Sequence, residues 1–342
     1  MSKISRRSFI PIIGTTVIGV SCLSIQKPKG LALENSKILP ARLKKGDVIG
    51  ISAPAGGVKS SSEIDDFTKV LEQLGFKVKF SKNSSNKFGY FSGTDEERAS
   101  DFMGLILDNE VKGIFFLRGG WGCARILPLL DFDAIKVNPK VIMGFSDITT
   151  LLNAITSKTG LVTFHGPGGN STWNAYSIRY INELLINGEL VNYRNEKQDL
   201  KITTYSPGSA RGDLYGGNLS VICSLVGTDF LPSWKDKILF LEDVGEEPYR
   251  IDRMLTHLKL AGVFDEVNGV ILGNFRKCVA EEPERSFTLK EVFEQHFSTL
   301  KKPVFYGAQI GHVRNKFTIP VGVEVKMNAD DGSFVLVDAS VS

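Results

Sequence analysis

From Gly46 onward the chain alternates short apolar runs of strand length with amphipathic segments of helix length. No other feature limits the possible folds as strongly. Consecutive strands joined by helical crossovers lie parallel, and apolar runs without polar alternation need cover on both faces, so the pattern predicts a mainly parallel sheet between two helical layers. Residues 47–52 read as a buried strand that ends at Ala53-Pro54-Ala55-Gly56-Gly57. Ser61 or Ser62 then caps a helix with Ile64, Phe67, Val70, Leu71 and Leu74 on one face. Gly75 closes that helix and residues 76–80 form the next strand. Thr94-Asp95-Glu96-Glu97 is a capping box opening a helix to about Leu107, and strands follow at residues 113–117, 141–144 and 161–164.

Residues 188–208 are polar and rich in turn formers, which places a linker there between an N-terminal domain, 41–187, and a C-terminal domain, 209–342. The second half carries strands at 239–242, 269–273 and 304–310, with helices at about 248–260 and 288–299. It closes on a hairpin, 323–327 and 334–337, around Asn328-Ala329-Asp330-Asp331-Gly332. The 342 residues suffice for two cores. A formal charge of +3, with no Lys/Arg run longer than two, gives no footprint for nucleic acid.

Residues 1–40 stand apart from the fold as an export signal and linker. In Ser5-Arg6-Arg7-Ser8-Phe9 the paired arginines precede 19 uncharged positions, residues 8–26, the form of a twin-arginine signal, so the chain is expected in the periplasm or cell envelope, with the cytoplasm as the alternative. The leader is the only membrane contact expected, kept either as an anchor or through lipid on Cys22. The other cysteines, at 123, 223 and 278, form no CxxC pair and no cluster with histidine, so no metal and no cofactor is expected; a single disulfide stays open.

The sharpest chemical signal is Gly144-Phe145-Ser146-Asp147-Ile148-Thr149, where an apolar strand ends on a serine and a helix follows at once. A serine so placed projects into the crevice at the carboxyl ends of the strands, near the positive end of a helix. Most serines so placed are ordinary helix caps, and the segment departs from G-x-S-x-G. A nucleophile needs a base and the base an orienter. Of the four histidines, His257 and His296 sit at helical spacing, leaving His165, after strand 161–164, and His312, after strand 304–310. Glu242-Asp243 ends another apolar run, where a carboxylate either holds an imidazolium or pairs with Arg250 or Arg253. Arg118-Gly119-Gly120-Trp121-Gly122 supplies a glycine turn after a strand, whose N–H groups can converge on an oxyanion, and it lacks the spacing of a phosphate loop.

Taken in order, Leu117 to Gly122, Gly144 to Thr149, Leu241-Glu242-Asp243 and Gly311-His312 resemble the LD-carboxypeptidases, the muramoyl-tetrapeptide carboxypeptidase family, over about residues 43–340. The resemblance implies a flavodoxin-like, doubly wound N-terminal sheet with a nucleophile elbow, a smaller β-rich C-terminal domain and a homodimer. It also implies a serine peptidase that removes the terminal D-alanine from the L,D-linked murein tetrapeptide. Carried onto this sequence, Ser146 is the nucleophile, Glu242 the orienter and His312 the base. The N–H groups of Gly120, or Gly119, and of Asp147 form the oxyanion hole; Arg118, Gly119, Trp121 and His165 line the substrate pocket. Trp121 stands where the family often has tyrosine, and Gly216-Gly217-Asn218 resembles a recurrent structural loop. The same family includes microcin-immunity peptidases, which cleave aminoacyl-nucleotide analogues. A periplasmic solute-binding protein is the reading from another class.

Overall fold

A computed structural model describes residues 36–196 and 199–342. The segment expected to be an export signal, with Arg6, Arg7 and Cys22, lies outside the described residues. Five strands build the first sheet in the N-terminal half: β1 (Val48–Ser52), β2 (Lys77–Phe80), β3 (Val111–Phe116), β4 (Val141–Gly144) and β5 (Thr163–His165). The remainder supplies β6 (Asn192–Tyr193), β7 (Thr203–Ser206), β8 (Ser209–Asn218), β9 (Lys237–Val244), β10 (Gly269–Arg276), β11 (Val304–Tyr306), β12 (Ile319–Val321), β13 (Glu324–Asn328) and β14 (Ser333–Leu336).

The first sheet runs β12-β5-β4-β3-β1-β2, with every pair parallel except β12 on β5. Without β12 this is the 2-1-3-4-5 order of flavodoxin-like folds, whose ligand crevice opens beyond the carboxyl ends of β1 and β3, where the chain leaves in opposite directions. The strands bear it out physically: Ile49, Ile51, Ile114, Phe115, Ile142 and Met143 are fully buried, as apolar runs covered on both faces must be. The capping box at Thr94 is made in full, with the Thr94 hydroxyl accepting from the Glu97 amide and the Glu97 carboxylate accepting from the Thr94 amide.

The second sheet has eight strands in the order β6-β14-β13-β8-β9-β10-β11-β7, in which β8, β9, β10 and β11 are parallel and the flanking pairs antiparallel. Three features differ from the sequence reading. The polar stretch 188–208 contributes β6 and β7, which pair at opposite edges of this sheet, because edge strands tolerate polar side chains that central ones do not. And β12, from the C-terminal half, returns to the first sheet, where Ile319 pairs with His165. Strand β11 also stops at Tyr306, short of residue 310, since the Gly307 and Ala308 amides both turn to the Leu272 carbonyl.

Between the sheets the Asn153 amide donates to the Gly216 carbonyl at 2.8 Å, and the Asn218 amide N–H donates to the Thr149 hydroxyl at 3.0 Å. The helix Thr149–Thr159 that follows Ser146 is thereby pinned to the end of β8, whose neighbour β9 carries Glu242. Cys123, Cys223 and Cys278 are free thiols, and no helix of the described residues is long and apolar enough to cross a membrane.

Candidate active site

Ser146 follows β4 in a left-handed backbone conformation, φ 63°, which a residue with a side chain adopts only when its surroundings hold it there. Ser146–Ile148 form a tight turn before the helix Thr149–Thr159 begins, and the Ser146 side chain makes no capping hydrogen bond. The reading of Ser146 as an ordinary helix cap therefore fails, and a strained elbow presenting a partly exposed hydroxyl takes its place.

Asp147, the next residue, is buried, and its Oδ2 accepts the Cys123 amide at 2.8 Å, tying the elbow to the glycine turn after β3. Burial pushes its carboxyl above the ordinary aspartate range, against the pull of the Cys123 hydrogen bonds. On the other side of that turn the Gly119 carbonyl accepts from the Gly56 amide at 3.1 Å. In a trans peptide the following N–H points opposite to the carbonyl, so the Gly120 N–H is directed away from Gly56. Gly119 itself presses on the serine: a Cβ there would lie 2.7 Å from Ser146 Cβ, 2.8 Å from its Oγ and 3.3 Å from the Asp147 nitrogen. Gly119→Ala is accordingly expected to displace the hydroxyl and the amides together, lowering kcat by at least the ~10²–10³ of a lost oxyanion donor. Steady-state kinetics check this, and a near-normal kcat contradicts it.

Across the crevice Glu242, at the end of β9, is fully buried, and its Oε2 accepts the His312 Nδ1–H at 2.7 Å. Its other oxygen accepts from the Asn218 side-chain amide at 3.3 Å. Burial by itself would raise the Glu242 pKa, yet the hydrogen bond and charge of His312, with help from His165 and Asn218, outweigh it and hold the carboxyl below its usual range. The alternative pairing with arginine is not made: Arg250 lies 3.8 Å from Glu246 instead. The approach of His312 depends on Gly311, where a Cβ would fall 2.2 Å from Glu242 Oε2. With Nδ1 committed to the carboxylate, Nε2 is the free ring nitrogen, as a general base requires. The ring stands 4.9 Å from the Phe145 ring, centroid to centroid, which sets it beside the residue preceding Ser146.

His165 turns out differently. It is fully buried with Nε2 unpaired, 5.3 Å from the Phe240 ring, and burial lowers its pKa to about 4. It lies beneath Phe145 and is not among the residues lining the cleft at His312. Arg118 and Trp121 do line a recess, of about 400 Å³, with Gly120 and Tyr90. Arg118 donates to the Gly57 carbonyl, and Trp121 is half exposed against Tyr90. The cleft at His312, about 760 Å³, is walled by Phe145, Asn274, Arg276, Arg314 and Lys316.

Asn218 and Asp243 carry roles that the sequence reading did not assign. The Asn218 amide spans Glu242 and Asp243, and Asp243 accepts further from the Ser220 and Val244 amides. A Gly-Gly-Asn run entering a helix was the available signal. Burial, with the Glu242 charge beside it, raises the Asp243 pKa to about 6. An aspartate titrates near 4 in the unfolded chain, so this group's contribution to stability is present below about pH 4 and is lost as pH rises through about 6. Asp243→Asn does not titrate, and its melting temperature relative to wild type should rise between pH 4 and pH 7. Thermal melts across that range check the sign, and a constant difference contradicts it.

A buried carboxylate orienting a histidine, beside a strained serine elbow in the crevice of a flavodoxin-like sheet, defines a serine hydrolase. Residues 49–166 match the LD-carboxypeptidase N-terminal domain and residues 211–327 the LD-carboxypeptidase C-terminal domain. The chain belongs to the LD-carboxypeptidase family of serine peptidases. It is 37% identical over 318 residues to a probable murein peptide carboxypeptidase of Bacillus subtilis, covering 92% of this chain and 98% of that protein. Among solved structures it resembles the microcin C7 self-immunity protein MccF bound to glutamyl sulfamoyl guanosine, at TM-score 0.82 and 26% identity over 89% of this chain and 99% of that one. It likewise resembles the muramoyltetrapeptide carboxypeptidase of Oxalobacter formigenes, at TM-score 0.74 and 27% identity over 85% and 99%. Family membership and the Glu242–His312 pair together set aside the solute-binding reading.

Proposed function

We propose that the protein hydrolyses the L,D-peptide bond to the terminal D-alanine of murein tetrapeptides, with Ser146, His312 and Glu242 as its triad. The observation that carries the reading is the 2.7 Å hydrogen bond from His312 to buried Glu242, which leaves Nε2 free beside the serine elbow. Ser146 Oγ attacks the scissile carbonyl carbon and its proton passes to His312 Nε2, while Glu242 stabilises the imidazolium. The Gly120 and Asp147 N–H groups hold the oxyanion. The C–N bond breaks as His312 returns the proton to the leaving amine, releasing D-alanine. Water, activated by the same base, then cleaves the acyl-serine ester and restores Oγ–H.

Mass spectrometry of purified tetrapeptide incubated with the protein tests the reading, with loss of one alanine expected. The fold similarity to MccF supplies a second reading, an aminoacyl-nucleotide peptidase. Glutamyl sulfamoyl guanosine belongs in the same assay, and its cleavage with the tetrapeptide left intact would favour that reading. His312→Ala and His165→Ala separate the two candidate bases: the first should be inactive, and the reverse pattern would exchange their roles. The Arg6-Arg7 motif supports export by the twin-arginine route, and fractionation of cells carrying Arg6→Lys/Arg7→Lys tests it, with retention in the cytosol expected. Family resemblance supports a homodimer, which sedimentation equilibrium checks.

A further inference from the structure

Lys316 is 3% exposed, yet among the described residues no carboxylate lies within ion-pair distance of its ammonium. Nζ stands 4.0 Å from the centroid of the Phe145 ring and 3.3 Å from Ser171 Oγ, a long contact to a neutral hydroxyl. Arg276 and Arg314, on the same cleft, are exposed and also form no ion pair among the described residues. A buried structural lysine normally has an anionic partner, because an unpaired ammonium in a desolvated site costs several kcal/mol. Burial lowers the Lys316 pKa to about 8, against the raising effect of Glu242 and with the like charge of Arg276 adding to the fall. The ammonium therefore lacks a negative charge in direct contact among the described residues, with Glu242 acting on it only at a distance.

Its position says which charge. Phe145 touches both Lys316 and His312 and immediately precedes Ser146. A histidine that protonates the leaving amine faces the leaving-group side of the scissile bond. In a carboxypeptidase that leaving group is a single amino acid, whose carboxyl carbon lies three bonds, about 4 Å, beyond the scissile carbon. The cations around His312 are on that side. From this placement, and resting on the carboxypeptidase reading above, we infer that Lys316 binds the free C-terminal carboxylate of the substrate and is the residue that restricts the enzyme to chain ends. Arg276 and Arg314 draw the same anion into the cleft through solvent. The recess at Trp121, on the Gly120 side, is left for the acyl portion.

The experiment compares a murein tetrapeptide with the same peptide as its C-terminal carboxamide, in wild type, Lys316→Met, Lys316→Gln and Lys316→Arg. Wild type should prefer the carboxylate, and the ratio of kcat/KM values, carboxylate over carboxamide, should fall roughly 10- to 100-fold in Lys316→Met, the loss of a charge-assisted hydrogen bond. Lys316→Arg should keep most of the ratio. Lys316→Gln retains a polar group toward Ser171 and supplies the charge-free comparison should Lys316→Met not fold. A ratio unchanged on removing the charge overturns the inference while leaving the carboxypeptidase reading intact. If wild type releases no D-alanine, it is the substrate reading that falls. Protection of Ser146 from a fluorophosphonate then decides on Lys316: D-alanine should protect wild type better than D-alaninamide does, an advantage lost in Lys316→Gln. Equal protection by the two overturns it.

Discussion

Ser146→Ala is expected to lower turnover of the tetrapeptide by about 10⁴-fold or more, the loss usual for a triad nucleophile, while the protein stays folded. The physical ground is that the hydroxyl has nothing structural to do: it makes no capping bond, and it stands partly exposed at the end of β4. Alanine accepts the left-handed φ of 63° no better than serine, so the strain of the elbow is left as it was. Ser146→Gly supplies the companion result. Glycine has no Cβ to oppose that backbone, and the variant should be as inactive as alanine yet more stable, by about 1 kcal/mol. Kinetics with thermal melts on both variants check the pair. Near-normal turnover in either would remove the serine mechanism, and a large loss of melting temperature in Ser146→Ala would show a structural role for the hydroxyl.

The parts of the site that the sequence discloses are those written into one strand end. The Gly-Phe-Ser elbow, the glycine turn after β3 and the carboxylate closing β9 each belong to an uninterrupted local pattern: apolar run, turn, helix. Which histidine meets which carboxylate is not local. His165 and His312 both follow strands, and only the resemblance separated them; the structure does so by packing, since β12 crosses to the first sheet, beside β5, and His165 is sealed between Phe145 and Phe240. Lys316 escapes a reading by charge pattern for a similar reason. In Val313-Arg314-Asn315-Lys316 it looks like a solvated turn, and only the fold of the loop between His312 and β12 buries it. The edge strands β6 and β7 are short and polar, so their pairing is dictated by the sheet they complete and not by their own periodicity.

Glu242→Gln is the sharper test of how the two halves of the site cooperate. The substitution preserves shape and could still accept the His312 N–H, yet removes the buried charge that the imidazolium meets when it takes the serine proton. Turnover should fall by about 10³–10⁴, as when the acid of such a triad is neutralised. Stability points the other way. Glu242 is fully buried, and at neutral pH its charge is compensated by hydrogen bonds from His312 and Asn218 and, among the described residues, has no arginine or lysine in direct contact. Because its folded pKa is depressed, the stability it contributes is present above the ordinary glutamate range and is lost as pH falls through the folded value. A neutral glutamine escapes the desolvation cost of the charge and forfeits the charge-assisted bond, two effects of opposite sign and similar size. The melting temperature at neutral pH should therefore move little while activity collapses. If Glu242 were instead a structural ion-pair member, the same substitution would unsettle the fold and spare the chemistry. Melting curves and kcat measured on one preparation distinguish the two outcomes.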